Sequence, residues 1–119
     1  MTMVAVVVAV VSAGCGASTP ALSEPAQRGL DLTRQLGCAA CHDGGDGQIG
    51  PDWSGSWGEM VALEDGGTVR FDASYVVTSI RHPDAVRRVG DWRRMPAFGP
   101  DQLSDDEIAD IVAYLEELG

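Results

Sequence analysis

The clearest pattern of apolar and polar positions lies near the C-terminal end. Ile108, Ile111, Val112, Leu115 and Leu118 recur at helical spacing and form one apolar stripe. Ser104-Asp105-Asp106-Glu107 precedes it as a capping box, in which the hydroxyl and the glutamate carboxylate satisfy orphan amides reciprocally. Its three acids also favour the positive end of the helix. A second helix is predicted from the N-cap Ser23, with Glu24 and Pro25 in its first turn, to about Leu36. Leu30, Leu32 and Leu36 give it an apolar side, and Gly37 ends it. Gly29 in its interior costs about 1 kcal/mol relative to alanine. That cost predicts the close approach of another helix, with Tyr114 as the residue expected to pack near Gly29. Asp72 predicts a short helix over residues 73–81, ending before His82-Pro83. Residues 61–64 and 68–71 flank Asp65-Gly66-Gly67 and predict a small hairpin. Residues 43–50 form a glycine-rich loop that can pass close to a neighbouring group. Its aspartates lack the downstream glutamate and the spacing of a calcium loop. No internal repeat is present.

The apolar run over residues 3–11 is too short to cross a bilayer, which takes about 20 apolar residues. It suits the h-region of a signal peptide. Val11-Ser12-Ala13-Gly14-Cys15 then resembles a bacterial lipobox, with Ser12 where an aliphatic residue is usual. Cleavage near Ala13 or Ala17 is the plainer alternative. Met1 and Thr2 supply no basic n-region, and a start site farther upstream would. Residues 16–23 are small, polar or proline-containing and read as a tether. The expected organisation is therefore a signal segment with lipobox over 1–15, a tether over 16–23 and one small domain over 24–119.

The chemistry is concentrated in Cys38-Ala39-Ala40-Cys41-His42. C-x-x-C-H reads as the covalent attachment site of one c-type haem. Two thiols at that spacing add to the two vinyl groups, and His42 is placed to bind the iron. A thioredoxin-like site would need a strand-to-helix context that is missing here, and zinc would need a fourth ligand. A domain of this size has a limited core of its own, so the chain without haem is expected to fold poorly. For the iron face opposite His42 the candidates are Met60, His82 and Met95. The chain has no lysine, and its eight basic side chains are arginines, which stay protonated. Met95, in Arg93-Arg94-Met95-Pro96-Ala97-Phe98, is the favoured ligand, because a thioether on a rigid loop suits both iron oxidation states.

With attachment site, Gly50-Pro51, Met95-Pro96 and a last helix carrying Tyr114-Leu115 in this order, the chain resembles the class I cytochromes c over about residues 26–118. It is more closely similar to the C-terminal cytochrome c domain of subunit II in caa-type haem–copper oxidases. Residues 37–42, 63–69, 95–98 and 103–115 carry that likeness. The resemblance implies an all-α fold, three to four helices around one covalent haem c, with a short β-hairpin insertion. It also implies that the Pro51 carbonyl orients His42. Trp53 and Trp57 are expected at the haem, either reaching a propionate through the indole N–H or packing on the porphyrin. Unlike subunit II, the chain carries no cupredoxin domain and no dinuclear-copper ligands.

The formal net charge is −10, which argues against nucleic acid as a partner. Half of the basic residues, Arg87, Arg88, Arg93 and Arg94, stand just before Met95, while residues 101–117 hold seven acids and no base. The cluster reads either as a positive rim that docks an acidic redox partner, or as a loop whose arginines pair with Asp84, Asp91 or the propionates. The expected role is a one-electron carrier, monomeric and not an enzyme. It would work outside the cytoplasmic membrane, lipid-anchored at Cys15, between a reductase or dehydrogenase and a terminal oxidase. The alternatives are a fixed electron-entry subunit of such a complex, or a haem sensor or peroxidase with an open iron position.

Overall fold

The computed structural model describes residues 14, 16, 18–45 and 49–119; the apolar run and Cys15 of the expected lipobox lie outside them. No helix among the described residues is long and apolar enough to cross a membrane. The elements are α1 (Glu24–Gln35), α2 (Ala39–His42), β1 (Met60–Ala62), β2 (Thr68–Arg70), α3 (Ala73–Arg81), a 3₁₀ turn (Pro83–Val86) and α4 (Asp105–Leu118). The expected helices are therefore present, with a two-stranded sheet as the β component.

Helices α1 and α4 pack against each other, and Gly29 permits the contact. A Cβ there would stand 2.0 Å from the Asp110 carbonyl oxygen and 2.9 Å from the Ile111 Cα. The close approach expected at Gly29 is thus to the α4 backbone, whereas the ring contact of Tyr114 is with Trp53. The face that α1 buries is small: Ala26, Gly29 and Thr33, with Leu32 and Leu36 only half-buried. Thr33 resolves its burial by donating to the Leu30 carbonyl at 2.8 Å. The pair is fastened at two further points. Arg28 forms a two-pronged bond to Asp110 with both contacts at 2.8 Å. The Ser23 amide donates to Glu117 at 3.0 Å, and the Ser23 hydroxyl also donates to that carboxylate.

The capping box of α4 forms as read, with Ser104 and Glu107 bonding each other's amides. Ile108, Ile111 and Leu115 are buried, but Leu118, expected in the stripe and the last residue of α4, is 38% exposed. Asp72 caps α3 through the Tyr75 amide. The hairpin is shorter than predicted, with register Met60↔Arg70, Val61↔Val69 and Ala62↔Thr68. Leu63 leaves the ladder to bridge Arg88, and the Glu64 amide donates to the Arg87 carbonyl at 2.9 Å. Gly66 takes the positive φ of 90° that closes the turn. The Val89 amide adds a bond to Ala62, so the chain after the 3₁₀ turn runs along β1.

Candidate functional site

Gly37, at φ 76°, stops α1 one residue before the cysteine motif. The chain restarts at once as α2, a single helical turn not expected from the sequence pattern. That turn groups the chemistry: Cys38 lies three residues from Cys41 and four from His42, so all three project toward one side. All three line one cleft, and both cysteines are free thiols. Burial pushes the Cys38 thiol up, and the neighbouring Cys41 adds to it.

His42 is 8% exposed and held from several directions. Its Nδ1 lies 2.7 Å from the Pro51 carbonyl oxygen, which can only accept, so Nδ1 carries the proton and Nε2 keeps its lone pair. Trp53 stacks on the imidazole, with ring centroids 4.9 Å apart and planes 10° apart. Tyr114 of α4 meets Trp53 edge-on at 6.4 Å. At Gly50 a Cβ would stand 2.7 Å from the imidazole Cε1, so the loop passes the ring where only glycine fits. Burial lowers the pKa of His42, opposed by the Pro51 carbonyl. The ring is thereby kept neutral, as a metal ligand must be.

The remaining walls are mostly apolar: Tyr75, Val76 and Ile80 from α3, Leu103, and Ile111 and Leu115 from α4. Met95 and Phe98 border the same cleft from the loop before α4. Of the candidates for the second iron ligand, Met60 is 57% exposed on β1, and His82 is the exposed C-cap of α3. Neither lines the cleft; Met95 does. Trp57 is not part of this lining and packs edge-on against Phe71 at 6.2 Å.

One end of the cleft is charged, and most of its arginines are paired. Arg94 meets Asp84 at 3.0 Å, and Arg93 lies over the Trp92 ring at 4.6 Å. Arg87 donates through Nη2 to the Asp91 carbonyl. Its Nε, 3.3 Å from Glu64, is buried without a hydrogen-bond partner. Arg88 is half-buried in the lining and forms no side-chain hydrogen bond or ion pair among the described residues. This distribution favours the pairing reading of the cluster over a free positive rim. The donor set matches a flat apolar group with two carboxylates: thiols for attachment, a neutral imidazole, the partnerless Arg87 Nε and the Arg88 guanidinium. Haem c therefore fits these residues. Tyr75 and Arg81 escaped the sequence reading. Tyr75 lies on a helix with ordinary apolar spacing, and Arg81 has no motif around it.

A protein-family model described as cytochrome C oxidase, cbb3-type, subunit III matches residues 24–115. No curated protein matches the chain. The matched family binds c-type haem, and Cys38 and Cys41 occupy the C-x-x-C-H attachment motif.

Proposed function

The chain belongs to the cbb3-type cytochrome c oxidase subunit III family of cytochrome c domains, and on that premise we propose that it carries single electrons with His42 and Met95 as the two axial ligands of its haem. Family membership supports haem-based electron transfer between protein partners in general. The haem iron supplies the reversible one-electron change. The protein contributes the rest. Pro51 fixes the ring and tautomer of His42, and Trp53 and Gly50 confine that ring. The apolar walls exclude water, and Met95 closes the opposite side.

The observation that supports this most is that Met95, alone among the three candidates, lines the cleft that holds Cys38, Cys41 and His42. The test is the optical spectrum of purified holoprotein beside Met95→Leu. The oxidised parent is expected to show the weak near-infrared band of methionine sulfur on ferric haem. The variant is expected to lose it, to bind carbon monoxide when reduced, and to have a lower midpoint potential. A high-spin parent that binds carbon monoxide promptly would overturn the ligand assignment and favour the sensor or peroxidase reading.

The proposed setting is extracytoplasmic, in a respiratory chain, with a terminal oxidase as acceptor. The signal-like run and Cys15 support export with a lipid anchor. Cys15→Ala is expected to move the protein from the membrane fraction to the soluble one. The name of the matched family favours one alternative, a permanent place inside an oxidase complex. Comigration with oxidase activity in mild detergent would support it. The likeness to the subunit II cytochrome domain of caa-type oxidases is kept as a proposal about ancestry.

A further inference from the structure

Arg81 is the last residue of α3, and its side chain is only 12% exposed. A cation so nearly enclosed needs its hydrogen bonds satisfied. Its Nη1 donates to the Phe98 carbonyl at 2.9 Å and to the Leu103 carbonyl at 2.7 Å. Nη2 donates to Asp105 in the first turn of α4 at 2.6 Å. Its neighbour Ile80 accepts from the Phe98 amide at 2.9 Å, so both backbone groups of Phe98 are tied to the end of α3. Beyond Phe98 the chain closes on itself, with the Leu103 amide donating to Gly99 at 3.1 Å. Residues 98–103 thus form one block riveted to α3 by Arg81.

Met95 is joined to that block through Pro96 and Ala97 alone. No backbone–backbone hydrogen bond involves residues 92–97 among the described residues. On the upstream side, the Arg94–Asp84 pair is exposed at both ends, and such pairs stabilise by about 0–1 kcal/mol. Pro96 restricts its own φ and the conformations open to Met95. The Met95 side chain packs against the buried core, and its backbone takes its position from Phe98.

We propose that Arg81 is the positioning residue for Met95: it clamps the 98–103 block so that the thioether is presented to the cleft. The inference rests on the ligand reading above, since without Met95 at the iron there is nothing to position.

The experiment follows the near-infrared band of the oxidised holoprotein against temperature, beside helix unfolding followed by far-ultraviolet circular dichroism. Arg81→Gln removes the charge and the fork, and Arg81→Lys keeps the charge. Asp105→Asn removes only the exposed end of the clamp. Arg81→Gln is expected to lose the band well below the temperature at which its helices melt, and to bind carbon monoxide when reduced. Arg81→Lys is expected to fall between Gln and parent, and Asp105→Asn to behave like the parent. Where Arg81→Gln fails to mature, Arg81→Lys carries the same comparison. Loss of the band only together with the helix signal would overturn the proposal, leaving Arg81 a general staple. So would a band as persistent as the parent's. A parent with no band overturns the ligand reading and this inference together, whereas a parent with the band and an indifferent Arg81 variant overturns this inference alone.

Discussion

Two residues of the cleft and the helix pair have properties that a single substitution can expose. Arg88 is half-buried beside the attachment site and lacks a side-chain acceptor among the described residues. A positive charge near the iron favours the ferrous state. A Coulomb interaction of this kind is worth on the order of 1 kcal/mol at an effective dielectric of about 20. Arg88→Gln is accordingly expected to lower the midpoint potential, by tens of millivolts for a one-electron couple at about 59 mV per tenfold change. A redox titration at fixed pH checks it, and an unchanged potential would mean that the guanidinium is screened from the iron. Gly29 has a steric rather than an electrostatic role. A methyl group there would overlap the α4 backbone, with the carbonyl of Asp110 2.0 Å away, and backbone cannot rotate aside as a side chain can. Gly29→Ala gains about 1 kcal/mol of helix propensity but must push two helices apart. Overpacking costs about 1–3 kcal/mol in cores that can adjust, so net destabilisation is expected, seen as a lower denaturant midpoint with the haem spectrum retained.

The contact between α1 and α4 is also where the domain should respond to acid. Arg28 holds the Asp110 carboxyl below the usual carboxylate range, and bonds from Ser23 do the same for Glu117. Groups with a depressed folded pKa bind protons more readily in the unfolded chain. Their stabilisation is present above the unfolded value near 4 and is lost as pH falls through the lower folded value. Thermal stability should thus decline below about pH 4, and Arg28→Gln should flatten that decline while lowering stability at neutral pH. An Arg28→Gln profile parallel to the parent's would show that this pair is immaterial. Both helices were legible in the sequence because their signals are local. Ser23 and Ser104 cap as read, and Gly37 terminates as read. What was not legible depends on partners distant in sequence. The small buried face of α1 is dictated by the α4 backbone rather than by its own leucines. The hairpin was visible from Asp65-Gly66-Gly67, but not the strand-like run of residues 87–89 that pairs along it. In the cleft, Cys38, Cys41, His42, Pro51, Trp53 and Met95 were readable through the motif and its family resemblance. Arg81 was not, since two of its three bonds go to backbone carbonyl groups that any sequence would supply.

At the level of the whole molecule, core and cleft are largely the same residues. Phe71, Tyr75, Val76, Ile80, Leu103, Ile111 and Leu115 belong to the buried cluster and also line the cleft. The protein alone leaves these side chains 2–8% exposed, and they also form the wall of the cleft that would hold the prosthetic group. Apolar area contributes about 25 cal/mol per Å² when removed from water, so a haem seated against this wall would add to the burial that the protein supplies. A covalently attached haem stays on the unfolded chain, but its packing against these walls is gained only on folding, which stabilises the native arrangement. The helix pair is the part least dependent on haem, because its contact at Gly29 and its Arg28–Asp110 and Ser23–Glu117 ties need no cofactor. Cys38→Ser/Cys41→Ser, which prevents covalent attachment, should therefore yield a partly ordered chain. Amide exchange is expected to leave protection in the interiors of α1 and α4 and to remove it from α3 and the hairpin. The thermal transition should broaden from a cooperative step to a gradual slope. A double variant that melts as sharply as the holoprotein, within a few degrees of it, would show that the protein walls close over the cleft on their own and that haem is seated in a fold already complete.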